Sequence, residues 1–187
     1  MSDSPFEEME AHEHAEHAQH AQTSPLIAQV TLTIAVLAVA AAVVASLETT
    51  EGDRTIVAKN DAVLQQNRAT DAWNFFQAKS LKKNLYALAA DQGGPKAAAY
   101  AKVAARNTAE QEEIQRQARN LESERDVSSK SAEHHEWRHE RLTVASTLLH
   151  MSIAIATLSI ILGRRWPWVT SLVLAAGGAV LAIWVYL

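Results

Sequence analysis

Cysteine is absent from this 187-residue chain and charged residues are absent from three long stretches of it, and each absence limits the class of protein to which the chain can belong. There is no cysteine, which excludes disulfide bonds, thiolate zinc sites and cysteine nucleophiles. Residues 26–47, 142–162 and 168–187 contain no charged side chain. Each of these stretches is long enough to cross the roughly 30 Å hydrocarbon core of a membrane as a helix. The sequence therefore predicts an all-α protein with three transmembrane helices.

The segment before the first apolar stretch lacks lysine and arginine. Its charged residues are all acidic: Asp3, Glu7, Glu8, Glu10, Glu13 and Glu16. A cleavable signal peptide begins with a basic region and has a shorter apolar region. We therefore expect residues 26–47 to be a retained span, preceded by an acidic, histidine-rich tail of residues 1–25.

The remaining polar segments complete the organisation of the chain. A soluble insert of residues 48–141 separates the first two spans, and a short basic turn of residues 163–167 separates the last two. Arg164 and Arg165 lie in the only short loop, which by the positive-inside rule favours a cytoplasmic tail and a periplasmic insert. Arg138 and Arg141, just before the second span, favour the opposite orientation.

The insert has the pattern of two long helices joined by a turn. Gln92-Gly93-Gly94-Pro95 is a strong helix breaker, and each flanking arm has about 40 residues, or about 60 Å of helix. The pattern predicts a long antiparallel, coiled-coil-like helical hairpin inserted between the first and second spans. Its second arm has a heptad-like seam at Tyr100, Val103, Asn107, Glu110, Ile114, Gln117, Leu121 and Glu124. Because half of these positions are polar, we expect self-association to help hold the hairpin.

The tail contains closely spaced histidines with interleaved glutamates. His14, His17 and His20 lie three residues apart, a spacing with which one helix can present several imidazoles to zinc or another divalent transition metal. Histidine also changes charge near neutral pH, so a pH sensor is an alternative. A solvated polar spacer is a third interpretation, and the sequence leaves all three open.

A second histidine cluster precedes the second span. His135 and His139 have the i,i+4 spacing of a chelating pair, and with Glu136 they match the bare HExxH pattern. No third ligand or cleft-forming element accompanies them, so we do not favour a catalytic zinc site. The two interpretations that we prefer to it are metal or proton binding and a polar helix end near lipid headgroups. The predicted topology puts this cluster and the tail histidines on opposite sides of the membrane.

One ionisable residue lies within a predicted span. His150 is about 12 Å along the helix from the start of the second span. Such residues are costly in lipid and suggest function, here a small channel or proton-coupled carrier. The alternative, which we favour, is an interhelical hydrogen bond.

The first arm of the insert carries an aromatic cluster. Trp73 and Phe76 share a helix face, and Phe75 is spaced for a cation–π contact with Lys79. These four residues are candidates for a partner or oligomer interface, and the packed core of the hairpin is the alternative. From Lys79 to Arg106 there are six basic residues and one aspartate, which would suit an acidic partner at the hairpin tip. No motif for specific nucleic-acid recognition is present.

Several motifs together resemble a known family. They are HEHAEHA in the tail, DAWNFFQAKSLK after the first span, EQEEI and HHEWRHE before the second, and RRWPW before the third. The chain is similar to domain-of-unknown-function family 4337, a family of uncharacterised bacterial membrane proteins. The resemblance implies a three-span protein of the bacterial inner membrane and supplies no catalytic residues.

These observations together favour a non-enzymatic role. No nucleophile triad, phosphate-binding loop or convincing acid/base pair is evident, and no catalytic or cofactor-binding residue is predicted. We expect a self-associating structural or accessory component of the envelope, embedded in the bilayer. The alternatives are a metal-responsive or metal-handling protein using the two histidine clusters and a small oligomeric channel using His150.

Overall fold

The computed structural model describes residues 25–187, and these residues are almost entirely helical. Helix α1 is Pro25–Asp91, α2 is Ala97–Leu162 and α3 is Arg165–Trp184. Helix accounts for 94% of the described residues, and no strand occurs among them. The predicted all-α class is confirmed. The tail histidines His14, His17 and His20 lie outside the described residues.

The turn between α1 and α2 follows from local sequence. Gly93 and Gly94 have φ angles of 79° and 97°, in the left-handed region that side chains with a Cβ rarely adopt. The Gly93 amide donates to the Ala90 carbonyl, and the Ala97 amide donates to the Gly94 carbonyl. Pro95 then lies just before α2, where its fixed φ and missing N–H do not disturb the helix.

Helix α1 passes without interruption from the first apolar stretch into the insert. The sequence treats these as separate segments, but Glu48 to Asp53 are all helical. A single interior glycine such as Gly52 costs only about 1 kcal/mol relative to alanine, and no proline is present to break the helix. The described residues divide into two compact units: unit 1 comprises residues 25–50 and Arg138–Leu187, and unit 2 comprises Glu51–Trp137.

Unit 1 packs through apolar and small side chains. Its core consists of Leu37, Ala41, Val44, Leu142, Ala145, Leu149, Ala175, Ala182 and Val185. Gly178 marks a close approach of α3 to α2, because a Cβ there would lie 3.0 Å from the Ala145 carbonyl oxygen and 3.2 Å from the Leu148 Cβ. The indole of Trp168 donates a hydrogen bond to the Thr33 hydroxyl at 3.1 Å, which links α3 to α1.

Unit 2 is held by contacts that join α1 and α2 in opposite sequence order. Lys59 pairs with Glu136, Trp73 with Glu122, and Tyr86 packs on Tyr100. Ala69 and Ala118 are almost completely buried, which lets the two backbones approach closely.

Of the eight predicted seam positions of α2, two are buried, four are half-buried and two are exposed. Asn107 and Ile114 are buried as expected, but Gln117 and Glu124 are exposed. Gln111 and Ala118, each one residue from a predicted position, are buried instead. The small side chain of Ala118 allows α1 to pack closely against α2 at this position. The heptad spacing instead predicted that the longer side chain of Gln117 would lie in the seam.

Candidate functional site

The second histidine cluster contacts a buried carboxylate. In unit 2, the Glu51 side chain is 1% exposed, and its Oε2 lies 2.6 Å from His135 Nδ1. Arg54 donates to the other carboxylate oxygen at 3.1 Å, and the Thr55 hydroxyl donates to the Glu51 carbonyl. Burying a carboxylate is costly unless it is paired and hydrogen-bonded, and the contacts of the Glu51 carboxylate with His135 and Arg54 meet that requirement.

His139 has a separate set of contacts within unit 1. Its Nδ1 lies 3.0 Å from the Glu48 carbonyl oxygen, and the Thr143 hydroxyl donates to Glu48 Oε1 at 2.7 Å. Glu136, the glutamate of the HExxH match, belongs to unit 2 and pairs with Lys59 at 2.6 Å.

A complete metal-ligand set does not form within residues 25–187, where no group of three or more histidine or acidic side chains is placed to hold an ion. Metal binding by His14, His17, His20, His135 and His139 stays a prediction.

His150 is bonded within its own helix. Its Nδ1 lies 2.8 Å from the Ser146 carbonyl oxygen, one turn earlier in α2, and the side chain is exposed. The expected interhelical hydrogen bond is therefore not formed among the described residues. The physical reason is that a histidine at i+4 can donate to the accessible carbonyl of its own helix without requiring a polar group on a neighbour.

The aromatic cluster is largely used inside unit 2. The Trp73 indole donates to Glu122 Oε1 at 2.8 Å, and the Trp73 and Phe76 rings pack edge to face with centroids 5.3 Å apart. Lys79 Nζ lies 5.1 Å from the centroid of Phe75, so the predicted cation–π contact is present. Phe75 itself remains about half exposed.

Lys79 also forms an ion pair with Glu110 of α2. The hydrogen bond from Lys79 holds the pKa of the Glu110 carboxyl below its ordinary value. The positive charges of Lys79, Arg106 and Lys82 act in the same direction, while partial desolvation opposes them.

One end of unit 1 combines an apolar groove with cation–aromatic pairs. The groove has a volume of about 530 Å³, and its lining includes Val43, Leu47, Leu149 and Tyr186. The Arg138 guanidinium lies over the Tyr186 ring at 5.1 Å, and that of Arg141 lies over Trp184 at 5.4 Å. Aromatic and basic residues at the ends of apolar helices are typical of the membrane–water interface.

The helices themselves have the dimensions of membrane spans. Within the described residues, α1, α2 and α3 each contain a stretch that is long and apolar enough to cross a bilayer. Residues 26–187 match the family described as Domain of unknown function (DUF4337). The chain belongs to this family. The match excludes the histidine-rich tail, and the description assigns no activity, so no functional residue can be transferred from it. No curated protein and no solved structure matches the chain.

Sequence reasoning missed Glu51 as a site residue. It is 84 positions from His135, and a local sequence pattern cannot predict a contact between residues so far apart in the chain. The one local signal was its position between Thr50 and Gly52, four residues after the apolar run ends at Leu47.

Proposed function

We propose that this protein is a non-enzymatic, multi-pass component of the bacterial inner membrane, in which the helical hairpin of residues 48–141 serves as a self-associating structural or accessory element. The observation that carries the proposal is how unit 2 uses its polar side chains. Lys59 with Glu136, Lys79 with Glu110 and Trp73 with Glu122 all bind α1 to α2. Side chains committed to such contacts hold two helices together, as a scaffold requires.

The orientation that we propose has the tail in the cytoplasm and the hairpin in the periplasm. The support is the Arg164–Arg165 pair in the short connection between α2 and α3. The cation–aromatic pairs Arg138–Tyr186 and Arg141–Trp184 would then lie at the periplasmic interface.

The native absence of cysteine makes this topology directly testable. Single-cysteine variants Ser4→Cys in the tail and Gln92→Cys in the hairpin turn would be treated in intact spheroplasts with a membrane-impermeant maleimide. We expect Gln92→Cys to react at once and Ser4→Cys to react only after the membrane is permeabilised. The reverse pattern would overturn the orientation, and equal labelling of both before permeabilisation would mean that α1 does not cross the membrane between them.

Metal handling is the second candidate function, and one contact favours it. Histidines that bind metals commonly donate their other ring N–H to a carboxylate, which fixes the ring for coordination. Glu51 stands in that relation to His135 Nδ1, which leaves Nε2 as the ligand atom. Zinc is the metal to test first, since it accepts imidazole and carboxylate ligands.

Native mass spectrometry of detergent-released, untagged protein distinguishes the two candidates. Metal handling predicts a discrete oligomer that retains zinc after a slight excess is added. It also predicts that the triple change of His14, His17 and His20 to Ala, or the change of His135 to Ala, lowers the zinc content. A discrete oligomer with no retained zinc would leave the scaffold as the function.

A further inference from the structure

A continuous uncharged stripe runs along the outer face of α1 in unit 2. Its members recur at alternating spacings of four and three residues: Ile56, Asn60, Val63, Asn67, Thr70, Asn74, Gln77, Leu81, Asn84 and Leu88. All ten are exposed. The surrounding segment, residues 53–91, contains ten charged side chains, and none of them falls on the stripe. Such a pattern is typical of a coiled-coil seam that has a partner.

The stripe is distinct from the face that packs against α2. The α1 residues that contact α2, such as Ala69 and Trp73, lie about 80–120° around the helix axis from Val63 and Leu81, at 3.6 residues per turn. Val63 and Leu81 are 60% and 73% exposed, and Leu85 and Leu88 beside them are 64% and 59% exposed. Apolar side chains in a regular row on the outside of a charged helix indicate a contact that unit 2 does not itself supply.

The heptad register identifies what would cover the stripe. With Ile56, Val63, Thr70, Gln77 and Asn84 at d positions, the a positions are Asn60, Asn67, Asn74, Leu81 and Leu88. Three successive heptads thus have asparagine at a. In parallel coiled coils, an asparagine at a pairs with its counterpart and specifies register and strand number, at some cost in stability.

Asparagine is suited to this pairing because its amide is both donor and acceptor and therefore complements a second copy of itself. Within unit 2, the side chains of Asn60, Asn67 and Asn74 make no hydrogen bond to another described residue. The groups are therefore available for a partner that presents the same residues at the same level.

We propose that a second copy of this chain docks on the stripe, so that the α1 segments Ile56–Leu88 form a parallel two-stranded coiled coil. This proposal rests on the self-association stated under Proposed function and names its interface. Copies inserted in one membrane share one orientation, so a two-fold axis along the membrane normal aligns their α1 helices in parallel. That symmetry also pairs each asparagine with its own counterpart.

The contact area is adequate for a specific interface. The 33 residues from Ile56 to Leu88 span about 50 Å at a rise of 1.5 Å per residue, and a strip about 10 Å wide covers roughly 500 Å² of each copy. The total of about 1,000 Å² reaches the lower bound for a biological interface. Confinement of both copies to one membrane adds a high effective concentration, which offsets the cost of the polar a positions.

Cysteine cross-linking tests the proposal on the full-length protein in its native membrane. The variants Asn67→Cys and Asn74→Cys place a thiol at a positions, and Asn120→Cys is a matched control, because Asn120 is an exposed asparagine of unit 2 on α2. With a mild oxidant, the first two variants are expected to form disulfide-linked dimers several-fold faster than the control. Equal cross-linking of all three variants would mean random collision and overturn the proposal.

A second pair of variants separates this interface from self-association in general. Asn60, Asn67 and Asn74 changed together to Lys place like charges across the seam, and loss of the dimer in native mass spectra is expected. Changing the same three residues to Val removes the asparagine pairs that specify strand number, so a shift from a dimer to mixed or higher oligomers is expected. If the Lys variant remains dimeric, the stripe is not the interface although self-association stands. If the native protein is itself monomeric, both proposals fail.

Discussion

Two adjacent glycines of α3 allow the packing of unit 1 to be tested with an internal control. A Cβ on Gly178 would lie 3.0 Å from the Ala145 carbonyl oxygen, 3.2 Å from the Leu148 Cβ and 3.3 Å from the Leu149 Cγ. A Cβ on Gly177 would meet nothing within 4 Å. Both positions are helical, so alanine brings each the same gain in helix propensity, up to about 1 kcal/mol.

The difference between the two substitutions therefore isolates the close approach of α3 to α2. The Ala145 oxygen belongs to the backbone and cannot rotate away, so Gly178→Ala requires the helices to separate by a few tenths of an ångström. Overpacking of this kind typically costs about 1–3 kcal/mol. We expect Gly177→Ala to be neutral or stabilising, and Gly178→Ala to be about 1–3 kcal/mol less stable than Gly177→Ala.

The assay is reversible unfolding in mixed micelles as the fraction of denaturing detergent is raised, followed by circular dichroism and tryptophan fluorescence. The free energies of unfolding of the two variants are then compared directly. If they agree to within about 0.5 kcal/mol, a difference that surface substitutions commonly produce, Gly178 is not a point of close contact and the packing of α2 on α3 is wrong.

Three further perturbations test other contacts. The pKa of Glu110 is lower in the folded than in the unfolded protein, so its ion pair with Lys79 contributes its full stability at a pH above the unfolded pKa of about 4.3. This stability is lost as the pH falls through the folded pKa. Glu110→Gln should therefore flatten that part of the curve of stability against pH in an acid titration. His135→Ala leaves the buried Glu51 with fewer partners and should cost up to about 3 kcal/mol in thermal or chemical unfolding, and adding Glu51→Gln should recover part of the loss; no recovery would show that the pair is not coupled. His150→Ala removes only an intrahelical bond, so reconstituted ion flux should not change, and abolished flux would instead support the channel alternative.

How far the sequence predicts this fold depends on the range of each signal. The charge-free stretches and the Gly93-Gly94-Pro95 breaker are local, and both the helices and the turn occur where these signals fall. The predicted seam of α2 is wrong by one residue at Gln117, where the buried residue is Ala118. The reason is that glutamine, glutamate and alanine alternate here, so neighbouring helix faces differ little in hydrophobicity. Glu51 and His135 could not be joined from sequence, since their contact depends on how α1 and α2 align over 84 residues.

A self-association surface is best sought among the side chains of unit 2 that make no contact between α1 and α2. The sequence offers Trp73, Phe75, Phe76 and Lys79 as candidates for such an interface, with the packed core of the hairpin as the alternative. In the folded unit, Trp73 is bonded to Glu122, Phe76 packs against Trp73, and Lys79 is paired with Glu110. An interface built on these residues would have to break contacts between α1 and α2, whereas the stripe from Ile56 to Leu88 breaks none. A helix that has one seam for its own hairpin and a second, uncharged seam on another face can hold two neighbours at once, and that is what a membrane-anchored scaffold of paired hairpins requires.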